Sequence, residues 1–222
     1  IREVKRLTGR MVAINLEPAA ISEDIEKDPV WSLTEGRRAT VENAKKAADM
    51  GVDMIILTGN PGIGVSNHAI VHALNELKAA VGDRVILTAG KMHAAGVISE
   101  GGENILTEND VDAFIDAGAD ILLLPAPGTV PGITMEYAHK LIARAHAKGA
   151  LAMTTIGTSQ EGADEATIRE IALMCKMAGA DIHHIGDSGY MGMAIPDNIT
   201  AYSIAIRGKR HTYRRMAMSL LR

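Results

Sequence analysis

Aromatic side chains are almost missing from this chain, with one Phe, one Trp and four Tyr making up 3% of its 222 residues. The 47% of hydrophobic positions must therefore be filled by Val, Ile, Leu, Ala and twelve Met, a palette of small side chains suited to stacked layers. Cysteine is scarcer still. Cys175 stands alone, which excludes an internal disulfide, and its apolar helical setting IALMCKMAG marks an inert core thiol. No apolar run reaches the roughly 20 residues of a membrane-spanning helix and no secretory leader is visible, so a cytoplasmic protein without a membrane partner is expected. A basic excess is missing too: the net charge of −4 argues against a dedicated nucleic-acid binder, which needs cations to neutralise phosphates. The one basic stretch, with Arg207, Lys209, Arg210, Arg214, Arg215 and Arg222, fits either the solvated face of a last helix or a homo-oligomer contact.

What is present is a repeat. An apolar-periodic segment ends in Gly and an apolar, β-rich run follows at once, as in TGRMVAINL, MGVDMIILT, VGDRVILTA, AGADILLLP, KGALAMTTI and AGADIHHIG. The glycines are Gly9, Gly51, Gly82, Gly118, Gly149 and Gly179. Each can end a helix in the left-handed conformation. This cadence of helix, turn and strand is that of a parallel sheet. Strands are expected at 11–17, 53–58, 84–90, 120–125, 150–156 and 181–186. Helices are expected near 38–50, 65–80, 108–117, 134–148 and 164–178, and from about 197 onward, with Ser66, Thr107 and Thr134 as N-caps.

Six such units suit an open doubly wound sheet or most of a (β/α)8 TIM-type barrel. The polar, glycine-bearing phrases NLEP, TGNPGIG, TAGKMH, PAPGTVPG, TIGTSQEG and GDSGYMG all follow strands, whereas the turns before strands are plain. A closed barrel gathers all those ends on one face, and an open sheet only those at a switch point. The barrel is therefore preferred, as a single domain over 1–222 with its first two units upstream of Ile1.

GNPGIGVS, Gly59 to Ser66, approaches the nucleotide phosphate loop but has Val65 in place of the lysine, and the dinucleotide fingerprint lacks its third glycine. It remains either a connecting turn or a weak anion cradle. TIGTSQEG and IGDSGYMG place Gly, a hydroxyl and backbone amides directly after strands, so Gly157, Thr158, Gly186, Asp187, Ser188 and Gly189 are candidate phosphate ligands. In DIHHIG the strand period of two sends His184 inward and His183 outward with Ile185, beneath a helix.

Lys91, in TAGKMH, is alone among ten lysines at the carboxyl end of an expected strand. An amine there suits attack on a carbonyl to form a Schiff base, or else pairing with a carboxylate or phosphate. His93 suits proton transfer. Glu17, on the Asn15 face of NLEP, suits a general acid or base, or an internal salt bridge. The long connection from Ala19 to Gly36, with Trp31, suits a lid. No compact metal-ligand spacing is present. No cofactor is therefore expected, although a divalent metal held by Glu17, His93 and His184 stays open.

LTGRMVAINLEP, GVDMIILTGNPGIGVSN, ILTAGKMHAAG, ADILLLPAPGTVPG and HHIGDSGYMGMAIPDNI together resemble an uncharacterised bacterial TIM-barrel family. Its members are often labelled haloacid-dehalogenase-like and accompany sugar phosphotransferase transport genes. The resemblance implies a barrel and a sugar-phosphate substrate, but no catalytic residues. The dehalogenase label has no support in the residues, because no Asp-x-Asp nucleophile motif follows the first strand. The expectation is an aldolase-like lyase or an isomerase acting on a small phosphorylated metabolite. Lys91 would form the Schiff base, and Glu17, His93 or His184 would move protons. The alternatives are a metal-dependent hydrolase or lyase and a non-catalytic sugar-phosphate binder.

Overall fold

Six parallel strands, paired in chain order, curl into a partial barrel with helices on the convex side. The computed structural model describes residues 1–19, 33–94, 97–186 and 194–218. Within these, α1 (Arg2–Thr8) leads to β1 (Ala13–Leu16). Next come α2 (Val41–Asp49), β2 (Met54–Leu57), α3 (Asn67–Val81) and β3 (Ile86–Gly90). After them follow α4 (Glu108–Asp116), β4 (Ile121–Pro125), α5 (Met135–Ala147) and β5 (Leu151–Ile156). The series ends with α6 (Glu165–Ala178), β6 (Ile182–Ile185) and α7 (Pro196–Ala217). The expected strands are all present, each shorter by one to three residues, because the outermost positions lie beyond the reach of the neighbouring ladder.

The three expected caps are made. Ser66 accepts from Ala69 N–H, Thr134 from Tyr137 N–H, and Thr107 forms a reciprocal capping box with Asp110. Each such cap stabilises its helix by about 1 kcal/mol. At the other ends the repeat glycines take positive φ. Gly179, at φ 99°, receives the last turn of α6, and its N–H bonds back to Cys175 and Lys176 carbonyls. A side chain there would be strained, which is why the phrase repeats with glycine.

Alternation along the strands divides the interior in two. Leu16, Ile55, Leu57, Leu87, Ala89, Leu122 and Leu124 face the helices and join the main core. Met54, Ile121, Leu123 and Met153 face the concave side with Ile56, Ile86 and Ile182. β4 is buried along its whole length, and burying each of its leucines contributes roughly 1.5–3 kcal/mol. Cys175 lies on the buried face of α6, where burial pushes its thiol up, as expected of a core residue.

One glycine fixes the closeness of two strands. Gly90 pairs with Leu123, and a Cβ added at Gly90 would lie 1.8 Å from the Leu123 carbonyl oxygen. No helix among the described residues is long and apolar enough to cross a membrane.

Candidate active site at the strand ends

Because the six strands are parallel and in consecutive order, their carboxyl ends share one edge of the sheet. Glu17 follows β1, Lys91 and His93 follow β3, Gly157 and Thr158 follow β5, and Gly186 follows β6. The sequence expectation that these distant turns meet on one side is thus met by the topology, and their contacts decide what each contributes.

Lys91 is 1% exposed and is among the largest fully buried side chains. Its Nζ donates to Glu100 Oε2 at 2.5 Å, and Glu100 is the half-exposed member of the pair. Of the two readings open for this lysine, the ground state is the carboxylate pair. Glu100 sits in the short 3-10 turn Ile98–Glu100, and no periodicity in the sequence points to it.

His93, two residues on, is partly buried. Burial pushes its imidazole below the ordinary 6.5, with the Lys91 charge acting in the same direction and the Glu161 charge against it. Neutral imidazole is the form able to accept a proton. Met92, between them, lies over the end of β5: a Cβ at Gly157 would come within 2.5 Å of Met92 Sδ. The loops after β3 and β5 are therefore in contact.

Glu17 is 5% exposed and pairs with the guanidinium of Arg37, the internal salt bridge anticipated as one of its two roles. Burial pushes its carboxyl up, against the attraction of Arg37. Its Oε2 has no hydrogen-bond partner among the described residues. Backbone bonds from Glu17 N–H to the Arg37 carbonyl and from Ala39 N–H to the Glu17 carbonyl hold it at the end of β1. Residues 20–32 of the expected lid, Trp31 among them, lie outside the described residues.

At the β5 and β6 ends the picture is mixed. Thr158 Oγ1 lies 2.8 Å from the Thr129 carbonyl and 2.5 Å from Gln160 Oε1, so its hydroxyl serves the loop. Gly186 N–H donates to the Ile156 carbonyl. Asp187, Ser188 and Gly189 lie outside the described residues. His183 and His184 diverge as the strand period requires. His183 Nδ1 lies 3.0 Å from the Tyr202 hydroxyl under α7, while His184 pairs in register with Thr155. Both histidines also border a cleft of about 170 Å³ with Tyr202, Ser203 and Arg207. That cleft lies between β6 and α7.

A residue the sequence reading passed over stands in the same corner. Glu161, in the 3-10 turn Gln160–Gly162, is 6% exposed, and its Oε2 has no hydrogen-bond partner among the described residues. A Cβ at Gly186 would lie 3.7 Å from Glu161 Oε1. The available signal was the phrase TSQEG, already singled out for its glycine and hydroxyl: a carboxylate inside a strand-end loop. Among the described residues no three metal-binding side chains come together, so Glu17, His93 and His184 do not form the trio that the metal-dependent alternative requires.

A family model described as Domain of unknown function (DUF7916) matches residues 1–222. No curated protein matches the sequence. Among solved structures, a deoxyribose phosphate aldolase from Aeropyrum pernix, described as tetrameric, is similar at TM-score 0.60 and 14% identity. The match covers 98% of this chain and 77% of that one. An aldolase designated QR15 is similar at TM-score 0.55 and 9% identity, over 90% of this chain and 76% of that one. At these identities the likeness establishes the barrel fold. The dehalogenase label and the transport-gene association find no support in these matches.

Proposed function

We propose, for a chain that belongs to this DUF7916 family, an aldolase-like lyase that makes or breaks a carbon–carbon bond in a small phosphorylated sugar, working as one barrel domain. The observation that carries this reading is the fully buried Lys91 amine at the carboxyl end of β3, with a carboxylate in hydrogen-bond contact. Similarity of fold to two aldolases supports the reaction class.

The chemistry is as follows. Glu100 takes the Lys91 proton, and the free amine attacks the substrate carbonyl carbon. Loss of water then gives an iminium ion, which draws electrons out of the adjacent carbon–carbon bond as that bond breaks. His93, held neutral by burial, is placed to move protons beside it. The phosphate end is assigned to the turn after β6, with Gly186, Asp187, Ser188 and Gly189. Gly157 and Thr158 shape its floor. Glu17 and His184 flank the site on β1 and β6. A homo-oligomer is part of the proposal, with exposed Tyr213 and Met216 on the basic face of α7 as its contact.

The test is borohydride trapping. With deoxyribose phosphate and other phosphorylated aldoses, wild-type protein gains the mass of a reduced adduct on the peptide containing Lys91, and the Lys91→Met variant gains none. Wild-type protein that yields no adduct, or an adduct on another lysine, refutes the proposal.

A further inference from the structure

We infer that Glu161 is the carboxylate that takes and returns the proton of the bond-breaking step, with His93 as its partner, a role that rests on the lyase reading above. A buried carboxylate oxygen without a donor suffers a loss of solvation that no hydrogen bond replaces. Glu161 bears that loss at 6% exposure, with Oε2 lacking a partner among the described residues. It also stands beside Gly186, at the carboxyl end of β6. A buried group that weakens stability at the strand ends belongs where it does chemistry.

The loop that carries Glu161 is built to hold it there. Ser159 takes a left-handed φ of 75°, unusual for a residue with a side chain. Asn198, 4% exposed on α7, donates through Nδ2 to the Glu161 and Ala163 carbonyls, both at 2.9 Å. Thr158 ties the start of the loop to Thr129. Strain at Ser159 is thus restrained from two sides, and the Asn198 clamp fixes the backbone from which the carboxylate projects. Met92 lies against Gly157, so the loops that carry His93 and Glu161 are in contact, and the Glu161 charge acts on His93.

In the cleavage step the Glu161 carboxylate removes the proton from the substrate hydroxyl on the carbon that becomes the new carbonyl. The O–H pair forms the C=O bond, the carbon–carbon pair moves to form an enamine, and the iminium nitrogen is neutralised. Glu161 then returns the proton to the enamine carbon. Water releases the second product and frees the Lys91 amine.

Glu161→Gln keeps the shape and removes the charge. Against deoxyribose phosphate its kcat falls about 10²- to 10⁴-fold, while KM is unchanged because the carboxylate acts in the proton transfer and not in binding. The Lys91 adduct still forms under borohydride, since amine attack precedes this proton transfer, and the thermal midpoint does not fall. In the absence of substrate, NMR titration of His93 moves to lower pH in the variant. A Glu161→Gln protein that keeps kcat within threefold while wild type forms the Lys91 adduct overturns the inference and leaves the lyase reading standing. An unmoved His93 titration overturns the pair whatever the substrate. Wild-type protein without an adduct overturns the lyase reading and the catalytic role of Glu161 with it, and a shifted His93 titration then shows only that the two charges are coupled.

Discussion

Gly90→Ala is expected to cost far more than Gly157→Ala, although both sites meet an added methyl group at impossible distance. At Gly90 the new Cβ would sit 1.8 Å from the Leu123 carbonyl oxygen, against a floor of 3.0 Å for real contacts, so β3 and β4 must part by about 1.2 Å. That oxygen belongs to the backbone of the fully buried central strand, and it cannot turn away. Overpacking a rigid core costs about 1–3 kcal/mol, and each ladder hydrogen bond lost at the Gly90–Leu123 pairing adds about 1 kcal/mol. A total near 3–5 kcal/mol is a large part of the 5–15 kcal/mol that a domain usually has. At Gly157 the Cβ would lie 2.5 Å from Met92 Sδ. That obstacle is the flexible end of a thioether with three rotatable bonds, and moving it costs about 1 kcal/mol or less. Urea unfolding followed by far-UV circular dichroism measures both. With a slope of about 2 kcal/mol/M, Gly90→Ala lowers the midpoint by roughly 1.5–2.5 M and Gly157→Ala by less than about 0.5 M. Equal midpoints for the two variants would refute the reasoning.

Three further outcomes follow from the charged groups and the clamp. Glu17 has its carboxyl pushed above its ordinary 4.5, so its folded form favours the proton. Its contribution to stability is present below 4.5 and lost as pH rises through the raised value. Glu17→Gln should therefore raise the thermal midpoint or leave it unchanged at pH 7 and match wild type near pH 4. His93 is pushed below 6.5, so wild-type protein loses stability as pH falls from 6.5 toward the depressed value, and His93→Gln removes that loss in pH-dependent melting. Asn198→Ala removes two hydrogen bonds, one to the buried Glu161 carbonyl and one to the partly buried Ala163 carbonyl, and should cost about 2 kcal/mol in chemical unfolding.

Much of the frame was legible in the sequence because one local rule was written six times: a helix closed by glycine, then an apolar run. Ser66, Thr107 and Thr134 announced three helices by chemistry that acts within four residues. The opposite facing of His183 and His184 followed from the strand period alone. Glu100 and Asn198 were not legible, since their partners lie 9 and 35 or more residues away and no periodic pattern links them. Glu161 was missed for another reason. Its phrase carries a glycine and hydroxyls that attract phosphate, and a carboxylate does the reverse.

Protection in the sheet is graded from its middle to its edges. β4 is buried at every position, whereas all four residues of β6 are only half-covered, and among the described residues β1 and β6 each pair on one side alone. Amide hydrogens of β3 and β4 should exchange last, near the global unfolding limit, and those of β6 early through local opening. Lys91 is thus rooted beside the slowest-breathing part of the sheet, while His184 rides on one of its edge strands.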